Sequence, residues 1–266
     1  MTKIIALANQ KGGVGKTTTS VNLAASLAAT RRRVLLVDID PQGNATMGSG
    51  LDKHDLQGSL LEALMGDVSA SEAIIQVEQA GYDLLPANSD LTLAEVRLIQ
   101  TEGREYRLRD ILTTLEGRYD YILIDCPPSL NMLTVNALVA AQGVLIPVQC
   151  EYYALEGLTA LMQTIERIKE GANPGLEIEG LLRTMFDPRN NLANDVSQQL
   201  MEHFGDRVYR TIIPRNVRLA EAPSYGMPVM YYERSSSGAL AYLALAGELL
   251  RRDEQLTEQE SENDGA

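Results

Sequence analysis

Short apolar runs closed by polar or glycine-rich turns alternate along this chain with longer stretches whose apolar residues recur at helical spacing. Ile4-Ile5-Ala6-Leu7-Ala8 reads as a buried strand, and Ser20 to Ala28 as a helix. Further buried strands are predicted at 33–38, 82–86, 119–125, 143–148, 177–184 and 207–213, with helices at 90–100, 106–116 and 192–203. Ser59 caps a short helix over 59–64, and residues 71–77 read as another helix or a short strand. From Ala154 to Glu170 apolar residues stand at Leu155, Leu158, Leu161, Met162, Ile165 and Ile168, with acids near the start, bases near the end and Gly171 after it, all of which suits a capped helix. An amphipathic helix over 237–252 closes the series. Strands alternating with helices throughout predict an α/β fold: a doubly wound, mostly parallel twisted sheet with helices on both faces. One domain is expected over 1–252, followed by an acidic, disordered tail over 253–266 that has six acidic residues and no basic one.

Chemistry enters between the first strand and the first helix. Gln10-Lys11-Gly12-Gly13-Val14-Gly15-Lys16-Thr17-Thr18 places a glycine-rich turn, a lysine and a hydroxyl at the start of a helix, the context of a phosphate-binding loop. Glycines let successive N–H groups curl around an anion, and the helix adds its free N–H groups and dipole. Lys16 would reach the β- and γ-phosphates, and the Thr17 hydroxyl would ligate Mg²⁺. Gln10 stands where the usual first glycine belongs, and Lys11 adds a second lysine. The run Tyr121-Ile122-Leu123-Ile124-Asp125 ends a buried strand on a carboxylate, the pattern of a Walker B aspartate holding a Mg²⁺-bound water. Asp38 and Asp40 close the strand at 33–38, in the crevice where parallel sheets bind ligands.

The loop Lys11-Gly-Gly-x-Gly-Lys16-Thr resembles the deviant Walker A motif of the ParA/MinD/nitrogenase-iron-protein ATPases, and Pro214-Arg215-Asn216-Val217-Arg218-Leu219-Ala220-Glu221-Ala222-Pro223 resembles the partitioning members ParA and Soj. The resemblance implies ATP and Mg²⁺ as substrate and metal, and an ATP-bound sandwich homodimer in which Lys11 reaches the partner's nucleotide. It implies that Gly12, Gly13, Val14, Gly15 and Thr18 complete the nucleotide loop. Asp40 would orient the attacking water or take its proton; Asp38, less directly, would support the Mg²⁺ shell through water or the loop lysine. Pro214 would pack on adenine and Asn216 would bond its edge. It further implies nonspecific binding of double-stranded DNA through Arg189 and Arg218, with Arg215 and Arg234 as weaker contacts. A ParB-type centromere-binding partner would stimulate hydrolysis that is otherwise slow.

Composition narrows the partners. The chain has 266 residues and a net charge of −13, which alone argues against nucleic acid, yet the span 183–218 holds six arginines against four acids. A membrane-associated cell-division ATPase of the MinD type is the alternative, but it needs a basic amphipathic segment, and the acidic C-terminal end would be repelled by anionic lipid. An iron–sulfur reading fails on spacing: only Cys126 and Cys150 are present, both in or beside apolar strands. Two cysteines and no apolar run near the ~20 residues a bilayer requires give the expectation of a reducing, cytoplasmic setting, and the resemblance to the partitioning ATPases implies association with the nucleoid. With the first strand at Lys3, no leader and no N-terminal helix-turn-helix are expected.

Overall fold

In the computed structural model, which describes residues 2–264, β1 (Lys3–Leu7) leads into α1 (Lys16–Ala29) and β2 (Val34–Asp38). Then come α2 (Asn44–Gly48), α3 (Leu60–Met65), α4 (Ala70–Ala73), β3 (Ile75–Val77) and β4 (Tyr82–Leu85). The middle of the chain holds α5 (Thr92–Ile99), α6 (Arg107–Thr113), β5 (Tyr121–Asp125), α7 (Met132–Ala140), β6 (Gly143–Gln149) and α8 (Ala154–Glu170). The last part runs β7 (Glu177–Phe186), α9 (Asn191–Phe204), β8 (Val208–Pro214), α10 (Val217–Glu221), α11 (Val229–Tyr232) and α12 (Ser237–Asp264). The eight strands form one sheet in the order β3-β4-β2-β5-β1-β6-β7-β8, parallel except where β3 runs against β4.

Side chains on successive strand residues point to opposite faces. Ile5 and Leu7 therefore join α1 and α12 in one core, while Ala6 faces the other core with α6, α7, α8 and α9. β1 lies between β5 and β6, so the loop after it emerges at the centre of the sheet's carboxyl edge. There the order of strands reverses, and a ligand crevice opens in folds of this class. The parallel register makes Asp38 of β2 and Asp125 of β5 direct neighbours on that edge.

Three differences from the sequence reading have physical causes. Residues 70–77 contain both a turn of helix, capped by Ser69 and Glu72, and the antiparallel strand β3. Helix α7 was not anticipated, because it is apolar on almost every side: seven of its nine residues are buried, which leaves no amphipathic period to read. The tail expected to be disordered from 253 continues α12 as helix to Asp264, and 265–266 lie outside the described residues. Its Asp253 is tied to the body, pairing with Lys3 and accepting from the Tyr121 hydroxyl at 2.6 Å, and the Glu- and Gln-rich sequence beyond favours helix.

Between β7 and β8 the register slips, from Leu181 opposite Val208 to Arg183 opposite Ile212, so β8 carries extra residues. Arg183 fills this bulge: its guanidinium donates to the carbonyls of Tyr209 at 2.9 Å and Arg210 at 3.2 Å. The Glu248 carboxylate takes the Arg210 and Thr211 N–H groups, each at 2.8 Å. Arg183 is thus buried (6 % exposed) and adds nothing to the basic surface that its position in the 183–218 span suggested.

Candidate nucleotide-binding site

The loop between β1 and α1 curls because Gly13 (φ 74°) and Gly15 (φ 86°) adopt the left-handed region, where a side chain is strained. Its entry is pinned by Asn9, whose side-chain amide N–H donates to the Pro147 carbonyl at 2.8 Å and whose side-chain Oδ1 accepts from the Lys11 N–H at 2.9 Å. Its far side is pinned by Thr184 of β7, whose hydroxyl donates to the Val14 carbonyl at 2.8 Å. Gly12, Gly13, Gly15, Lys16, Thr17 and Thr18 all line a cavity of about 640 Å³ at the carboxyl edge of the sheet. A Cβ added to Gly12 or Gly13 would meet no protein atom, so this backbone is bare toward the opening.

Lys16 is only 7 % exposed and donates to the loop carbonyls of Asn9 (3.0 Å) and Lys11 (3.4 Å). Burial pulls its pKa down, against the opposing pull of Asp125 and Asp40. It makes no ion pair among the described residues, which leaves a desolvated cation without a contacting anion. Asp125 is completely buried, accepts from the Thr17 hydroxyl and the Ser20 hydroxyl at 2.7 Å each, and is held above the ordinary carboxylate range, chiefly by desolvation. A cation beside it would relieve that penalty. Hydroxyl and carboxylate oxygens suit magnesium, and no cluster of three His, Cys, Asp or Glu among the described residues forms an all-protein cage, which also fits an ion that retains waters and phosphate oxygens. The residues present therefore fit a Mg²⁺–nucleotide.

Asp40 lines the same cavity, 7 % exposed, with one oxygen accepting from the Gln42 N–H at 2.9 Å. Asp38 does not line it. Its carboxylate accepts from both the N–H and the hydroxyl of Thr46 at 2.8 Å and from the Asp40 N–H at 3.2 Å, which makes it the anchor of the 40–46 loop. Burial, and then the charge of Asp125, drive its pKa upward.

Pro214, Arg215 and Asn216 also line the cavity. Asn216 also caps α10, accepting from the Leu219 N–H at 3.2 Å and donating to the Ser237 hydroxyl at 2.8 Å, so its amide is already engaged. Lys11 stands outside the cavity lining, in an ion pair with Glu151 at 2.7 Å that is 34 % and 49 % exposed on its two sides. Arg189 is held by Asp187 and Arg218 by Glu221, in exposed pairs of 2.8 and 2.7 Å, and Arg215 and Arg234 are exposed. Cys126 and Cys150 are both free and buried. Sequence reasoning missed Asn9, Ser20 and Thr184. The first two flank a recognisable loop, whereas Thr184 lies on another strand with nothing in its neighbourhood to mark it.

Similarity to known proteins agrees with this geometry. The model of a family described as an AAA domain matches residues 2–178. The chain is 53% identical to the chromosome partitioning protein ParA of Myxococcus xanthus over 251 residues, 94% of this chain and 89% of that one. It is 52% identical to the sporulation initiation inhibitor protein Soj of Bacillus subtilis over 249 residues, 94% and 98% of the two chains. A Mycobacterium smegmatis crystal structure described as cobyrinic acid a,c-diamide synthase with bound ADP and magnesium superposes with a TM-score of 0.84 at 41% identity, covering 96% of both chains.

Proposed function

The chain belongs to the ParA/Soj family of chromosome-partitioning ATPases, and we propose that it acts as an ATP-gated dimer that holds nonspecific DNA until hydrolysis releases it. The observation that carries this reading is the loop itself: bare glycine backbone, a buried lysine without an anion and a hydroxyl bonded to a buried aspartate, all at one end of one cavity. ATP is the substrate and Mg²⁺ its companion, in line with the ADP- and ATP-analogue-bound magnesium complexes of the M. smegmatis protein at 41% and 40% identity.

Thr17 directly and Asp125 through a bound water would hold the magnesium, which when bound would draw charge from the phosphate oxygens. Lys16 turns from the loop carbonyls to the β- and γ-phosphates, exchanging two neutral acceptors for an anion. Asp40 orients water or takes its proton, and Gln42 fixes one carboxylate oxygen meanwhile. Asp38 contributes by holding that loop through Thr46. Pro214 offers its ring to the base, and Asn216 reaches the base edge while capping α10. Hydrolysis is slow until a ParB-type protein completes the alignment of Asp40.

Lys11 gives the dimer its dependence on ATP. Exposed ion pairs contribute about 0–1 kcal/mol, so releasing Lys11 from Glu151 costs little, and the partner's triphosphate can claim it. Arg189 and Arg218 are in similarly exchangeable pairs, and dimerisation doubles their number on one surface. Phosphate contacts of this kind read no sequence and weaken steeply with salt. The MinD-type alternative needs a basic amphipathic segment at the lipid surface, and the acidic sequence at the end of α12 would instead be repelled by anionic lipid. Light scattering with Mg²⁺ and either ATP or ADP tests the switch. A dimer with ATP and a monomer with ADP are expected, and an unchanged mass with ATP would overturn it.

A further inference from the structure

We propose that Lys53 is a positioning residue for Asp40, acting through the peptide that joins Gln42 to Gly43. This rests on the role given to Asp40 above and names what holds its loop in shape. Lys53 is half-buried in the irregular stretch between α2 and α3, and it does not line the nucleotide cavity. Its ammonium donates to the Gln42 carbonyl at 2.6 Å. The other end of the same peptide, the Gly43 N–H, donates to the Asp40 carbonyl at 2.9 Å and closes a turn over 40–43.

A cation on the carbonyl of a peptide polarises it and strengthens the bond that its N–H makes. Lys53 therefore tightens the bond that fixes the Asp40 backbone on its carbonyl side. The amino side is fixed independently, because the Asp40 N–H donates to the Asp38 carboxylate at 3.2 Å. The backbone is thus held on both sides of the residue, and Oδ1 accepts from the Gln42 N–H at 2.9 Å. Oδ2 makes no hydrogen bond among the described residues, which leaves it to the attacking water.

The packing brings the lysine to this carbonyl. Gly43 adopts the left-handed region (φ 63°), and a Cβ there would lie 2.7 Å from the Ala87 carbonyl oxygen and 2.9 Å from Cδ of Lys53. Bare backbone at this point lets the loop lie between Ala87 and the lysine stem. Ala87 is fixed in turn, its N–H donating to the Thr46 hydroxyl at 3.0 Å, and that hydroxyl donates to Asp38 at 2.8 Å. Lys53 forms no ion pair among the described residues, so a backbone carbonyl is the partner of its charge. Lys11, Arg189 and Arg218, by contrast, each rest on a carboxylate.

The test is phosphate release by the full chain with saturating Mg²⁺ and a range of ATP concentrations. Lys53→Met keeps the stem over Gly43 and removes the ammonium. It should lower kcat at least about fivefold and leave KM for ATP within about twofold of wild type. Lys53→Arg, which restores a cationic donor, should recover kcat to within about twofold. In an Asp40→Ala background, Lys53→Met should change the residual rate by less than about twofold, because a residue that acts through Asp40 has nothing left to position. A loss of general stability would instead add to the effect of Asp40→Ala. Unchanged kcat in Lys53→Met overturns the proposal, and so does an equal loss in both backgrounds. Undiminished turnover in Asp40→Ala alone would overturn the reading of Asp40 itself, so the two failures are separable.

Discussion

Replacing Thr184 by valine removes one hydroxyl from the wall of the nucleotide cavity and keeps the shape of the side chain. The hydroxyl donates to the Val14 carbonyl at 2.8 Å, and both residues are almost fully buried, at 2 % and 1 % exposure. A neutral hydrogen bond contributes about 0.5–1.5 kcal/mol net, and a buried carbonyl left without a donor costs about 1–3 kcal/mol. Thr184 lines an open cavity from which water can approach, so the lower part of that range applies, about 1–2 kcal/mol. The loop must be ordered to bind phosphate, and affinity falls with the ordered fraction. The same energy therefore sets the ceiling on the loss, a factor of about 5–30. Titration with a fluorescent ADP analogue and Mg²⁺ should show Thr184→Val weaker than wild type by at least about threefold and at most about thirtyfold, while Thr184→Ser, which retains the hydroxyl, stays close to wild type. Affinity unchanged within about twofold in Thr184→Val would refute the idea that β7 holds the loop in its binding shape.

Other variants separate the remaining parts. Lys11→Ala should bind ATP almost normally yet form no ATP-dependent dimer by light scattering, because its only ion pair in the described chain is the weak one with Glu151. Asp40→Ala should accumulate ATP-bound dimers and release phosphate at least about tenfold more slowly; undiminished turnover removes Asp40 from the reaction. Glu248→Gln tests the β8 bulge. Burial alone would raise the pKa of Glu248, but its bonds to Thr211 and Arg210 and the charge of Arg252 outweigh that and lower it. Its stabilisation is thus present above the ordinary value of 4.5 and is lost as pH falls through the lower folded value, so thermal melts should show Glu248→Gln less stable at pH 7 with a shallower acid limb. Equal acid limbs in the two proteins would contradict the clamp.

Elements with a clear period or a local motif were legible in the sequence. β1, the glycine loop and α1 could be read together because the loop needs a strand before it and a helix after it, and Asp125 stands out at the end of a continuous apolar run. Contacts made across the fold left no such trace. Thr184 and Val14 are 170 residues apart, and Lys11 and Glu151 are 140 apart. Arg183 looked like surface charge in a basic span; its burial depends on a bulge whose unpaired carbonyls only the sheet register reveals. Asp38 sits in a motif that points to metal, yet its oxygens are taken up by Thr46 and the Asp40 N–H. The acidic C-terminal stretch has the composition of a solvated tail, and its first turn is fastened by Lys3 and Tyr121, partners from the opposite half of the sequence.

Binding to a fluorescent duplex of arbitrary sequence, with ATP, with ADP and without nucleotide, at low and moderate salt, tests the central claim most directly. The switch predicts binding with ATP alone, falling steeply with salt and lost when Arg189 and Arg218 are reversed to glutamate. Binding that is indifferent to the nucleotide, or absent in a sample whose ATP dimer has been verified, would contradict it.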